Sequence, residues 1–195
     1  MAGARGRAMQ KTVFTLMERC VACKSCEIAC AVAHSESGSV AKAQLEEPRP
    51  RPRVKITSAG AYAFASRCAH CDDAACIAAC PTGAMQREGR TGAVIVDEER
   101  CIGCWMCVTT CPFGAVTADP GTSRALKCDL CQNRTARGLD PACVEACPTG
   151  AMVYATPEEL AAMRRTAAAM ASVGVVGEIE GSTALWRTLK GGQAK

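Results

Sequence analysis

Sixteen cysteines in 195 residues fall into four groups of four: Cys20, Cys23, Cys26 and Cys30; Cys68, Cys71, Cys76 and Cys80; Cys101, Cys104, Cys107 and Cys111; Cys128, Cys131, Cys143 and Cys147. Groups one and three read C-x2-C-x2-C-x3-C, while groups two and four each stretch one gap, to four and eleven residues. Groups two, three and four run directly into Pro81, Pro112 and Pro148. This is the run that wraps a bacterial 4Fe-4S cluster. A cubane needs four thiolates at tetrahedral corners. The short gaps let one turn deliver three of them. In the two-cluster arrangement the fourth ligates the neighbouring cluster, and the proline turns the chain away. The sixteen cysteines are therefore expected to be iron ligands of four 4Fe-4S clusters arranged in pairs, with none left over.

Other cysteine chemistries fit poorly. The first twenty residues contain no continuous apolar stretch of the signal-peptide kind, which argues against a secreted disulfide scaffold and for a cytoplasmic chain. Zinc modules draw cysteine pairs from separate knuckles, and a single redox C-x-x-C needs far fewer thiols. His replaces Cys in no group, which excludes a Rieske pair. His70, between Cys68 and Cys71, reads as a hydrogen-bond donor or spacer beside the iron ligands, and His34 as structural or exposed. Trp105, between Cys104 and Cys107, is placed to shield a cluster from water or to lie under a partner.

The formal charge of +4 counts cysteine as neutral. Four oxidised cubes at about −2 each would bring the loaded protein to roughly −4, so the basic residues offset anionic clusters. With aromatics at only 4%, base-stacking platforms are scarce and nucleic-acid binding is not expected. No G-x-G-x-x-G motif marks an in-chain flavin or nicotinamide site. Four thiolates per cluster leave no open iron, so the chain is expected to carry electrons without a catalytic residue of its own.

These ligands need short elements to present them. CIAACPTGAM, CVTTCPFGAV and CVEACPTGAM, ending at Met85, Val116 and Met152, are copies of one unit. Gly83, Gly114 and Gly150 supply its tight turn and are expected to leave backbone N–H groups near the sulfurs. Strands are expected at Lys11 to Met17, Ala93 to Val96, Ala115 to Ala118 and Met152 to Tyr154, and helical turns at Ala74 to Ala79, Trp105 to Thr110 and Pro141 to Ala146. A hairpin with its turn at Glu88 to Gly92 leads from group two into group three. The fold class is α+β: duplicated two-cluster ferredoxin-like modules, one inserted in the other, with a C-terminal helical tail.

Residues 11–38 with 121–156 form the outer module carrying groups one and four, and residues 60–120 the inner one. Residues 39–59 hold a Pro/Arg-rich insertion, Glu46 to Arg53, expected to run extended as a solvated face or a docking strip. In the 157–195 tail, Thr156-Pro157-Glu158-Glu159 starts a helix running to Ser172, with Leu160, Met163, Ala167 and Met170 on one face and Arg164 and Arg165 opposite. A second amphipathic turn is expected at Ala184 to Leu189, around Trp186. The tail could pack on its own chain or mediate self-association. No segment has the length and apolarity of a membrane span.

The four motifs in this order, over about Lys11 to Tyr154, resemble the four-cluster electron-transfer subunits of bacterial oxidoreductases, among them formate dehydrogenases, dimethyl sulfoxide and polysulfide reductases, carbon monoxide dehydrogenase-linked hydrogenases and tungsten aldehyde oxidoreductases. The resemblance implies one cluster on Cys20, Cys23, Cys26 and Cys147 beside another on Cys128, Cys131, Cys143 and Cys30. It implies a second pair on Cys68, Cys71, Cys76 and Cys111 and on Cys101, Cys104, Cys107 and Cys80. It further implies a large catalytic partner, with a tungsten or molybdenum pterin enzyme first in line and tungsten aldehyde oxidoreductase favoured by the basic insertion and long tail. Electrons would pass on to a flavoprotein reacting with NAD or to a ferredoxin, in anaerobic metabolism. Service to a formate dehydrogenase, a carbon monoxide dehydrogenase or a hydrogenase, or life as a free polyferredoxin, is the alternative.

Overall fold

Val13 and Phe14, flanked by threonines, favour an extended chain, and Thr12–Thr15 forms strand β1. Its partner comes from the far end of the fold. Met152–Ala155 (β8) pairs with it antiparallel, in register from Thr12↔Ala155 to Thr15↔Met152. Val13, Met152 and Val153 are all but fully buried along this seam. The computed structural model describes residues 10–172; the turn expected around Trp186 lies outside them.

Between the paired ends the chain forms three hairpins: β2 (Lys55–Ala59) with β3 (Tyr62–Ser66), β4 (Met85–Arg87) with β5 (Val94–Val96), and β6 (Val116–Asp119) with β7 (Arg124–Lys127). Among the described residues every sheet is two-stranded. Short helices carry or directly follow the cysteines: α1 (Ser25–Ala33), α3 (Ala75–Ala78), α4 (Met106–Thr110), α5 (Gln132–Thr135) and α6 (Ala142–Glu145), while α2 (Val40–Ala43) lies in the insertion. This duplicated hairpin-and-helix pattern with a helical tail is the ferredoxin-like α+β plan expected from the repeats. No helix among the described residues is long and apolar enough to cross a membrane.

The β2–β3 hairpin, which follows the Pro/Arg strip, was not expected. It runs across residues 59 and 60, where the sequence reading set the insertion against the inner module. The β6–β7 hairpin likewise runs across residues 120 and 121. The Pro/Arg strip also divides. Arg49 and Arg51 are exposed, but Arg53 turns inward to pair with Asp129 at 2.8 Å, and Val54 is buried.

The tail helix α7 spans Pro157–Ser172. Thr156 Oγ1 accepts the Glu159 N–H at 3.1 Å and the Glu159 carboxylate accepts the Thr156 N–H at 2.8 Å, a reciprocal cap. Leu160 and Met163 pack on Leu16, Val153 and Ala155, so this part of the tail lies on its own chain, next to the β1–β8 seam. Lys11 to Glu159 and Arg164 to Glu18 add exposed ion pairs. Replacing Thr156 by alanine is expected to cost about 1 kcal/mol in chemical unfolding of the loaded protein, because the cap at the first turn loses its hydroxyl acceptor.

Candidate iron-sulfur sites

Two cavities in the inner part of the chain are each lined by four cysteines. Cys68, Cys71, Cys76 and Cys111 line the first, among Ala74, Val94 and Val116; Cys80, Cys101, Cys104 and Cys107 line the second, among Met85, Val96 and Trp105. In each, three thiols come from one group and the fourth from the other, because α3 packs against α4 and exchanges the last cysteines. The outer cysteines cross in the same sense. Cys30 and Cys143 lie close enough to Cys128 and Cys131 to perturb one another electrostatically, and Cys26 feels Cys147 and Cys23. The packing of α1 on α6 brings these segments together. Cys20 enters this region directly after the 3-10 turn Met17–Arg19.

A shared backbone device aims the thiols. The residue just before the second cysteine of every group is left-handed: Ala22 (φ 54), His70 (φ 51), Gly103 (φ 68) and Leu130 (φ 57). For residues with a Cβ this conformation costs roughly 1–2 kcal/mol each, a strain of the kind stored at functional sites. Only Gly103 advertises it in the sequence. There a Cβ would stand 2.3 Å from the Ser123 carbonyl oxygen. Gly103→Ala is therefore expected to cost on the order of 2–5 kcal/mol, from overpacking and left-handed strain together, and to lower the iron content through the displaced Cys104.

Backbone N–H groups point at several sulfurs, as expected, but they are not the glycine amides. Gly83, Gly114 and Gly150 donate instead to the carbonyls of Cys80, Cys111 and Cys147. The sulfur of Cys80 accepts from Met85 at 3.4 Å, that of Cys111 from Ala115 at 3.4 Å, that of Cys68 from His70 at 3.4 Å and that of Cys30 from Arg53 at 3.2 Å. The glycine bends the turn, and a later residue donates. Such N–H groups stabilise thiolate charge.

Burial sets the protonation of the iron-free thiols. It pushes Cys26 up to about 11, with Cys147 adding to the effect. It pushes Cys131 up to about 11 and Cys30 up to about 12, and Cys143 rises well above its ordinary value. Iron loading at neutral pH must therefore expel protons from these sites. Cys23, 3.4 Å from Ser25 Oγ at the exposed edge, is held below its ordinary value by that hydroxyl.

Both histidines have structural tasks. His70 is buried, and its Nδ1 accepts the Val94 N–H at 3.0 Å, which puts the imidazole proton on Nε2. Burial, with Lys127 and Arg67 nearby, drives its pKa down to about 3. His34 reaches from α1 to Asp129 at 3.1 Å. Burial raises the Asp129 carboxyl, but the His34 hydrogen bond and the Arg53 charge outweigh it and hold the group below its ordinary range. Asp129 also accepts the Cys131 N–H at 2.9 Å. His34, Asp129 and Cys131 thus bring ligand-type atoms within 4.8 Å of one another, yet Arg53 and the Cys131 N–H already occupy the carboxylate. We read this cluster as a clamp on the Cys131 loop. It joins residues far apart in sequence, and no local spacing reveals it.

Thiols among apolar side chains, with N–H groups at the sulfurs, are a donor set that fits thiolate-bound iron-sulfur groups. Likeness to known proteins defines the class. A 4Fe-4S dicluster domain matches residues 59–156, taking in groups two to four, and a 4Fe-4S binding domain matches residues 17–33 over group one. The chain belongs to the 4Fe-4S dicluster family. Among its relatives, an iron-sulfur protein of Rhodospirillum rubrum is 41% identical over 72% of this chain and 79% of its own length. YnfG of Escherichia coli K12, a probable anaerobic dimethyl sulfoxide reductase component, is 38% identical over 78% of this chain and 77% of its own. The thiosulfate reductase electron transfer subunit PhsB of Salmonella typhi is 36% identical over 73% of each. The chain is thus a ferredoxin-like iron-sulfur protein related to the small subunits of dimethyl sulfoxide reductase-type complexes.

Proposed function

We propose that this chain is the non-catalytic electron-transfer subunit of an anaerobic oxidoreductase complex of the dimethyl sulfoxide or thiosulfate reductase kind, and that it holds four 4Fe-4S clusters in two interleaved modules. The observation that carries the reading is the pair of four-thiol cavities with exchanged cysteines, Cys111 in one and Cys80 in the other. When bound, such clusters supply one-electron transfer at potentials set by hydrogen bonds, charge and burial. The protein's part is to fix the thiols through left-handed turns, to aim N–H groups at the sulfurs and to keep the interior apolar. The relatives named for dimethyl sulfoxide and thiosulfate reductase favour that service over the tungsten aldehyde oxidoreductase that the sequence resemblance put first. A large catalytic subunit is accordingly the expected partner, and a cytoplasmic face the expected location.

Exposed apolar residues support a docking role at both edges. Along the chain Val21 and Ile28 lie on either side of Cys23, and Ile102 and Met106 on either side of Cys104; both these cysteines are themselves exposed. Native mass spectrometry of the complex purified without oxygen from its own host tests the reading. A stoichiometric large subunit bound to a chain bearing four cubes is the expected result. A chain that purifies alone with its four cubes would overturn the subunit assignment in favour of a free polyferredoxin.

A further inference from the structure

We propose that buried Lys127 and partly buried Arg67 place two cations between the inner site of Cys68, Cys71, Cys76 and Cys111 and the outer site of Cys30, Cys128, Cys131 and Cys143, so as to favour the reduced state of the two clusters they separate. The inference rests on the cluster reading above.

Lys127 ends β7, yet it is only 3% exposed. Its ammonium donates to the Val94 carbonyl and, at 2.7 Å, to that of Cys128. Val94 lines the inner cavity, while Cys128 belongs to the outer set, so the charge sits on the boundary. Arg67 approaches the same boundary from the end of β3. Its Nη1 donates to the Cys68 carbonyl at 2.8 Å, and its buried Nε has no hydrogen-bond partner among the described residues. Each cation acts electrostatically on both sets: Lys127 on Cys76 and Cys128, Arg67 on Cys68, Cys128 and Cys143.

Among the described residues no carboxylate forms an ion pair with either. Asp129, two residues from Lys127, is engaged by Arg53 and His34. A buried cation held by carbonyls alone is unfavourable unless an anion faces it. Thiolate-bound cubes are anions, and reduction adds one more negative charge to each. A positive charge between two sites therefore stabilises both, and more so in the reduced form. A purely structural role would need only the hydrogen bond to Val94, which a neutral amide can also donate.

That difference supplies the test. Wild type, Lys127→Gln, Lys127→Arg and Arg67→Gln are purified anaerobically as full chains, iron and sulfide are counted, and each is titrated reductively with EPR detection. Lys127→Gln is expected to move the reduction equilibrium of the two flanked clusters about tenfold toward the oxidised form, a lowering of about 59 mV for a one-electron couple, with the other two unmoved. Arg67→Gln moves the same pair in the same direction, and Lys127→Arg retains the wild-type values. Unchanged potentials, an equal shift in all four clusters, or the same shift in Lys127→Arg as in Lys127→Gln would overturn the proposal. Iron lost from Lys127→Gln but kept by Lys127→Arg supports a need for the charge, whereas loss from both makes Lys127 a packing residue and overturns it. A wild-type chain without the iron of four cubes would defeat the cluster reading itself, before any variant is compared.

Discussion

Alanine at Cys111 is expected to abolish the same EPR signal as alanine at Cys68, and alanine at Cys80 the same signal as alanine at Cys104. Sequence neighbours suggest the opposite grouping, since Cys111 closes the run that begins at Cys101. In the structure Cys111 instead lines the cavity of Cys68, Cys71 and Cys76, and Cys80 that of Cys101, Cys104 and Cys107. Each substitution should lower the iron content by about a quarter, or by a single iron where a three-iron remnant survives on three thiols. The outer sites should behave alike, with Cys30→Ala grouped with Cys143→Ala and Cys147→Ala with Cys26→Ala. Loss of the Cys101, Cys104 and Cys107 signal in Cys111→Ala would sink the exchange of cysteines, whatever the total cluster count.

Removing iron altogether should have the largest effect. The largest fully buried side chains among the described residues are Leu130, Val13, Val94, Val153 and Pro141, with no aromatic ring among them, and much of the remaining buried set is alanine and cysteine. Isolated two-stranded hairpins are marginal in water, and every sheet described is of that kind. Anaerobic chelation is expected to erase the cooperative unfolding transition, removing essentially all of a stability of about 5–15 kcal/mol. Circular dichroism and amide exchange would report it as lost tertiary signal and lost protection. An iron-free chain that melts at the temperature of the loaded one would show that the polypeptide supports itself. Reloading at neutral pH should release protons, because burial holds thiols such as Cys30 and Cys131 in the protonated form until iron displaces the proton.

How far the sequence could be read depended on whether a signal was local. Helix α7 begins at Pro157 because Thr156 and Glu159 are three residues apart, and that spacing is visible in the string. The hairpin from Met85 to Val96 announces itself through a polar turn between apolar runs. The β2–β3 hairpin was hidden because its pattern is inverted. Small Ala63 and Ala65 point inward while Tyr62 and Phe64 face solvent, so the large residues mark the wrong side. Cysteine spacing revealed the ligand groups but not the left-handed residue before each second cysteine, since Ala22, His70 and Leu130 carry no sign of it. Lys127 reads as a surface lysine, and only the packing of β7 beside β5 buries it. The Asp129 clamp depends on Arg53 and His34, both remote in the chain.

The pairing of β1 with β8 also sets a timetable. On a ribosome, the cysteines from Cys68 to Cys111 are all made before Cys128 exists, so the inner sites can receive metal while the nascent chain is still growing. Strand β1, made well before its partner, must wait for Met152–Ala155. Until then Val13 is expected to lack the β8 side chains that bury it in the folded chain. Maturation is thus expected to run from the middle outward, and a chain cut short before Met152 to keep its centre while β1 stays without its partner strand.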